Sequence, residues 1–513
     1  MGSGIALLDY DRDGDLDIFV VQGMPPAAAK VKPANGSGFS PTSRLFRQTK
    51  GQFEDVTEST GLEDEMPYGS GVAVGDINND GWPDLFVSKY GRDRLLINHE
   101  GKFEDITEAA GIDNPRWGAS ACFTDYDRDG WLDLFIVNYY DYYSSNRLIL
   151  PNGEEDYAGP QMRESVPSKL YRNLTGEMPD HKVQFRDVSF ETGIDSKAGP
   201  GLGILPADFN GDGWIDFCVA NDGKANFMWF SRSGKTFSEE AIQVGTAYNA
   251  AGVPQAGMGM ATGDVDGDGR QDFLITHLEG EYTTLYSQVA EGLFEDRTAA
   301  VGLAVHTTHT GFGTALLDLD LDGDLDLVIG NGRVRRRVGE PPATNLESFW
   351  QPYAECNQTF LNSGGGIFTS VNAIDDFVAE PRMTRGLAIG DLDDDGDLDL
   401  VTSEVNGPAR IFLNTAERKG SWLIVRVIDP RHGGRDAYGA IVTVTAGKER
   451  WSRDVNPAFS YLSSNDPRVH FGLGKATTFD QITVQWPDGM KEDFKGGMAG
   501  NNLTLHRGKG VQP

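Results

Sequence analysis

One nine-residue pattern, Asp-x-(Asp/Asn)-x-Asp-Gly-x-x-Asp, occurs seven times along the chain. The copies begin at Asp9, Asp76, Asp125, Asp208, Asp264, Asp318 and Asp391, so successive starts lie 67, 49, 83, 56, 54 and 73 residues apart. A spacing near fifty with insertions is that of a repeat architecture, in which each unit buries its apolar face against its neighbours. The flanks repeat as well. A glycine and a short apolar run precede each copy (GIALLD, GVAVGD, GASACFTD, GILPAD, GMATGD, GTALLD, GLAIGD), and IFVV, LFVS, LFIV, FCVA, FLIT, LVIG or LVTS follows it. Short runs of Val, Ile, Leu and Phe bounded by glycine and aspartate read as buried strands, so each acidic loop joins two strands of a hairpin. A third strand ending in a turn comes next (RLFRQTKGQ, RLLINHEGK, KLYRNLTGE, TLYSQVAEG), then a fourth (FEDVTEST, FEDITEAA, FRDVSFET, FEDRTAAV). Four short strands per repeat, seven times over, predict an all-β fold, a seven-bladed β-propeller.

The loops carry the chemistry. Positions 1, 3, 5 and 9 are Asp9, Asp11, Asp13 and Asp17; Asp76, Asn78, Asp80 and Asp84; Asp125, Asp127, Asp129 and Asp133; Asp208, Asn210, Asp212 and Asp216; Asp264, Asp266, Asp268 and Asp272; Asp318, Asp320, Asp322 and Asp326; and Asp391, Asp393, Asp395 and Asp399. Position 7 is Asp15, Trp82, Trp131, Trp214, Arg270, Asp324 or Asp397, and there the backbone carbonyl is the available ligand. Glycine at position 6 permits the sharp turn. This is an oxygen-only cage for a hard cation, and its size and ligand number favour Ca²⁺ over Mg²⁺, up to seven ions in all. An EF-hand would need a bidentate Glu at position 12 between helices. Position 12 here is Val20, Val87, Ile136, Val219, Ile275, Ile329 or Thr402, and the flanks are strands, so Asp at position 9 must close the cage.

Composition agrees with this placement. The chain has 513 residues, with 45 Lys+Arg against 77 Asp+Glu and a net charge of −32, and the seven loops hold 30 of the acidic residues. Such a balance argues against nucleic acid and anionic lipid as partners. No apolar run is long enough to span a membrane, and no signal peptide is visible. Gly2-Ser3-Gly4 matches Gly69-Ser70-Gly71 at the same offset from the next loop, so the start reads as repeat sequence. The first blade is then expected to lack its leading FEDVT-like strand, with the natural chain, and any signal peptide, continuing upstream. Cys122 and Cys218 lie in apolar runs and read as core residues; Cys356 lies in a loop-like segment.

The Asp-rich loops with their glycine-led strands resemble FG-GAP (VCBS) repeats, as in integrin α-chain propellers. KLYRN at 169–173 and FEDVT at 53–57 resemble the cartilage acidic protein family and its bacterial relatives. After Asn414 the repeat stops. SWLIVRVI, YGAIVTVTAG, RVHFGLG and DQITVQWPDGM are β segments without an acidic loop, and HFGLG and WPDG are similar to the ASPIC/UnbV domain. The resemblance implies calcium binding through the loops and a propeller at 1–416 followed by a small β-sandwich at 417–513, packed on it.

Other residues are open to two readings. His306 and His309, with His277 nearby, have the spacing of a chelating pair but no third ligand, and read as turn or solvated histidines. Two insertions, 138–168 with Tyr139, Tyr140, Tyr142 and Tyr143, and 331–357 with Arg333, Arg335, Arg336, Arg337, Trp350 and Tyr353, either anchor a protein or glycan partner or cap the channel and balance charge locally. Sequons stand at Asn35, Asn173, Asn357 and Asn502. No local nucleophile motif is present, so an enzyme is the less favoured reading. The sequence therefore predicts a calcium-binding, extracytoplasmic propeller (extracellular, cell-surface or periplasmic) acting in adhesion or partner binding. An enzyme on a polysaccharide or secondary metabolite, for which UnbV's link to natural-product gene clusters speaks, and a structural surface or matrix component are the alternatives.

Overall fold

The computed structural model describes residues 2–23, 42–62, 68–141, 148–149, 155–156, 163–305, 307–337, 339, 342, 344–371 and 376–513. Seven sheets follow one another, each opened by one acidic-loop hairpin. In the first, Ile5–Leu8, Asp17–Val20, Arg44–Thr49 and Gln52–Asp55 pair antiparallel in chain order. The first strand of each sheet lies against that of the next, and Thr384–Gly390 of the seventh returns to Ile5–Leu8, closing the ring. These axial strands are apolar along nearly their whole length because neighbouring blades cover both faces. Cys122 and Cys218 are wholly buried between blades. The repeated glycines have a packing reason: a Cβ at Gly203 or Gly259 would stand 2.3 or 2.0 Å from the carbonyl oxygen of Met258 or Phe312 in the next blade.

The short blade is not the first. Sheet one has four strands, whereas sheet seven has three, Thr384–Gly390, Asp399–Glu404 and Arg410–Phe412. Each F-x-D strand belongs to the blade before it, as its outer edge, so the expected gap falls at the other end of the ring.

Beyond Asn414 two four-stranded sheets form a sandwich. Trp422–Asp429 pairs with Val469–Gly472 and, in parallel, with Asn501–His506; Ile441–Ala446 pairs with Glu449–Asp454 and Thr478–Gln485. Leu423, Val425, Val442, Val444, Ile482 and Val484 fill its interior, which runs on into the second and third blades. The sandwich also sends a segment down the propeller axis. Ser460 exchanges backbone hydrogen bonds with Met260, the Leu462 carbonyl accepts from Val72, and Ser464 bonds to Ile5 and Leu7, tying the fifth, second and first blades. Tyr461 is fully buried, edge-on to Phe312 at 4.9 Å. A Cβ at Gly4 would meet the Leu462 carbonyl at 1.7 Å, so glycine there makes room for the plug. Among the described residues no helix is long and apolar enough to cross a membrane.

Candidate metal centre

Local chain geometry builds the seven loops alike. At position 6 Gly14, Gly81, Gly130, Gly213, Gly269, Gly323 and Gly396 all have φ between +85° and +104°, a conformation open chiefly to glycine. The turn aims each glycine N–H at the position 1 carboxylate, from 2.7 Å at Gly81 to Asp76 to 3.2 Å at Gly14 to Asp9. Likewise the N–H of position 7 donates to position 5 in every loop, as Trp82 does to Asp80 at 2.9 Å. These bonds orient carboxylates that would otherwise repel one another.

The side chains then converge. Asp125, Asp127 and Asp133 bring carboxylate oxygens within 4.8 Å of one another, as do Asp264, Asp266 and Asp272; Asp318, Asp320 and Asp326; Asp391, Asp393 and Asp399; and, at positions 1, 3 and 5, Asp9, Asp11 and Asp13. The second and fourth loops have Asn78 and Asn210 at position 3, so three acidic groups do not meet there. One oxygen each of Asp9, Asp11, Asp125, Asp208 and Asp320 is buried without a hydrogen-bond partner. Burial pushes Asp9, Asp76 and Asp391 up to about 6 and Asp125 and Asp318 to about 7, nearby loop carboxylates adding to the shift. Hard donors only, convergent and partly orphaned, are a set that can hold metal ions.

Position 9 does more than close the cage. Asp17 accepts from Tyr10 N–H with one oxygen and from Gln48 N–H with the other, and Asp84, Asp133, Asp216, Asp272, Asp326 and Asp399 make the matching pair of bonds. It pins the loop to the third strand of its own blade. At position 7 the side chains pack elsewhere: Trp131 stacks on His181 and Trp214 lies under Arg128 at 4.0 Å. Sequence reasoning missed a set of cations beside the loops. Arg47 bonds Asp11 and Asp13 at 2.7 and 2.8 Å, and Arg172 holds Asp127 and Asp129 at 2.6 and 2.8 Å. For the sixth and seventh loops the cation comes from the segment leading to the sandwich, Lys419 on Asp320 and Asp322 and Arg418 on Asp395 and Asp397. The sandwich covers this same face: Arg435 donates to the Gly130 carbonyl, and His470 bonds the Gly396 carbonyl at 3.0 Å.

Family models match at the positions these loops define. An FG-GAP-like repeat model matches residues 9–87, 76–136, 208–275 and 264–329, and an ASPIC and UnbV model matches 430–512. The chain is an FG-GAP repeat protein with an ASPIC/UnbV domain. Cartilage acidic protein 1 of Homo sapiens is 26% identical over 60% of the chain and 44% of its own length, and that of Xenopus tropicalis 24% over 95% and 70%. The chain thus spans less than half the length of the human relative. Among solved structures, an Agrocybe aegerita lectin that recognises non-reducing terminal N-acetylglucosamine aligns with 80% of this chain and 94% of its own, at TM-score 0.41 and 14% identity.

At the opposite mouth of the FG-GAP ring the two insertions meet. Tyr139 donates to Asp222, Val334 packs with Tyr139 and Tyr140 around Tyr461, and Arg335 lies close enough to act electrostatically on Asp222. Beside them Trp117 stands edge-to-face with Tyr68, Tyr90 and Tyr139. Tyr139 and Tyr140 therefore cap the channel. Arg333 balances charge locally, half-buried between Glu279 and Glu355. Tyr142, Tyr143, His306 and Asn35 lie outside the described residues. His277 is buried against the Tyr282 carbonyl, its pKa lowered to about 4 by burial, which makes it a core residue. The sequons at Asn173 and Asn357 are buried and so are no glycan sites.

Proposed function

We propose that the protein is a calcium-binding, extracytoplasmic binding or adhesion protein whose ions rigidify the hairpin loops, with a propeller at 1–416 and a sandwich at 417–513. The single observation that carries this reading is the set of converging carboxylates in five loops, at positions 1 and 3 with 9 or, in the first loop, 5, some of whose position 1 and 3 oxygens are orphaned. Calcium, when bound, supplies the positive charge that lets these buried groups stay ionised together. The chain's own residues do the rest: the position 6 N–H fixes position 1, the third strand fixes position 9, and Arg47, Arg172, Arg418 or Lys419 holds the outer oxygens of positions 3, 5 or 7. An ion at a hundred times its dissociation constant adds about 2.7 kcal/mol per loop, and extracellular modules of this kind have constants near about 10⁻⁴ to 10⁻³ M. Sites of that affinity would fill at the calcium level of extracellular fluid, which is the ground for placing the protein outside the cytoplasm.

The partner, a protein or glycan, is assigned to the mouth on the face away from the loops, outside the cap that the buried Tyr139 and Tyr140 form. An enzymatic reading needs a deep axial pocket, and at the level of Tyr461 and Leu462 the axis is filled. Melting the protein with and without a chelator, alongside elemental analysis, tests the metal reading. An unchanged curve in EDTA together with an absence of bound calcium would sink it.

A further inference from the structure

Position 4 of all seven acidic loops has a left-handed backbone, with φ between +56° and +75°. In the first three loops that turn delivers the side chain to the loop of the next blade. Asn79 donates to the Gly130 carbonyl at 3.0 Å. The Arg12 guanidinium lies over Trp82 at 5.4 Å, and a Cβ at Gly81 would stand 2.9 Å from its Nη1. Arg128 does the same to the fourth loop, over Trp214 at 4.0 Å, its Nη2 3.0 Å from where a Cβ at Gly213 would stand. It also acts electrostatically on Asp208 and Asp212. No other loop has a basic residue at position 4.

The two loops that receive an arginine are the two with asparagine at position 3. Asn78 donates its amide to Asp80 at 2.7 Å and Asn210 to Asp212 at 3.3 Å, so a neutral neighbour already satisfies the position 5 carboxylate. The other five loops carry four or five carboxylates at positions 1, 3, 5, 7 and 9. Each of them has one cation on its outer oxygens: Arg47, Arg172, Arg270, Lys419 or Arg418. At the third-strand place of Arg47 and Arg172 the second and fourth blades have Ile97 and Phe230, both buried. Three carboxylates less one incoming arginine leave two negative charges, whereas four or five less one cation leave three or four. The number of charged ligands tunes the affinity of an oxygen cage for Ca²⁺, and a fixed guanidinium nearby opposes entry of a second cation.

We propose that the loops at 76–84 and 208–216 are a second, weaker class of calcium site, held down by Arg12 and Arg128 of the preceding loops. The ring then fills in two steps, five ions followed by two. The inference rests on calcium being the ion of the loops. Below the calcium level that fills the weak pair, the incoming guanidinium is the cation that these two loops have.

The test is a calcium titration of the chelator-stripped full chain by equilibrium dialysis, with bound ions counted by elemental analysis. Five ions are expected in a first step and two more at roughly tenfold higher free calcium or above. Arg12→Leu, at an exposed position, and Arg128→Leu take the position 4 residue of the sixth loop. Each should tighten one ion of the weak pair by roughly threefold to tenfold and leave the first five unchanged. Asn210→Asp combined with Arg128→Leu should move one ion into the first step, giving six and one. Melting curves in EDTA establish that each variant is folded. Seven ions of one affinity, any other division than five and two, or arginine variants that titrate as the parent does would overturn the inference and leave calcium binding intact. Absence of bound calcium would instead remove the reading on which it rests.

Discussion

Asn173 of the third blade donates its side-chain amide to the carbonyl of Ile77, 96 residues earlier, in the acidic loop of the second blade, at 2.8 Å. The same amide reaches the Leu132 carbonyl at 3.0 Å, within its own loop. Asn98, Asn362 and Asn414 repeat the bridge, to Tyr10, Val265 and Leu319. The loops are therefore linked blade to blade by amides, independently of any ion. Asn173→Ala, which leaves two buried carbonyls short of a donor, is expected to cost about 1–3 kcal/mol in a denaturant melt. The loss should be the same in chelator as in calcium.

The loop carboxylates set a pH signature. In the metal-free chain burial raises Asp17 and Asp326 to about 8 and Asp125 and Asp318 to about 7, above the value of about 4 in an unfolded chain. Between about pH 4 and 8 the folded state then binds more protons than the unfolded one, so stability falls as pH rises. With calcium the carboxylates are ionised in the folded state and this loss is removed. Thermal melts at pH 5 and pH 8 should show the calcium-dependent gap widening at the higher pH.

Lys419 offers a separate handle. Its ammonium lies 2.5 and 2.9 Å from Asp320 and Asp322 while the side chain is 53% exposed. Lys419→Met removes a counter-ion from the metal-free sixth loop at a cost of roughly 0–1 kcal/mol, and raises the net negative charge offered to calcium. A lower melting temperature in EDTA and a larger calcium-induced rise are expected from paired melts.

The axial plug makes ring and sandwich one cooperative unit. Tyr461→Ala removes a fully buried ring against Phe312 and is expected to destabilise by about 3–5 kcal/mol. Calorimetry of the parent should give a single transition, and the variant should separate propeller from sandwich.

What could be read from the sequence was what is local in the chain. A loop such as Asp318 to Asp326, its two strands and its turn glycine lie within about twenty consecutive residues, so period, punctuation and ligand chemistry all appear in one window. The pin at position 9 does not: Asp17 meets Gln48 N–H across 31 residues, a relation visible only once the third strand is paired. Blade phase is hidden in the sequence because the link from an outer strand to the next inner strand, such as Asp105 to Gly118, is a short turn-rich connection like those within a blade, so nothing marks the true boundary. Arg172 stood in plain view within KLYRN, yet nothing in that run shows which carboxylates it will face. The plug carried no signal at all, since AFSYLSSN reads as a serine-rich connection until Tyr461 and Leu462 are seen at the axis.

The plug also dictates when the protein can be finished. Ile5 accepts from the Ser464 N–H and Leu7 donates to the Ser464 carbonyl, so the first blade gains these axial bonds only once the chain has been made well past the seventh blade. All seven blades precede the plug in the chain and can stack before it is made, but the bore they surround stays lined with groups such as Phe312 and Met260 until the sandwich arrives to fill it. A nascent or truncated chain ending short of residue 466 would present that lining to solvent, so a chaperone or protease that recognises exposed apolar surface would have a clear means of telling incomplete copies from complete ones.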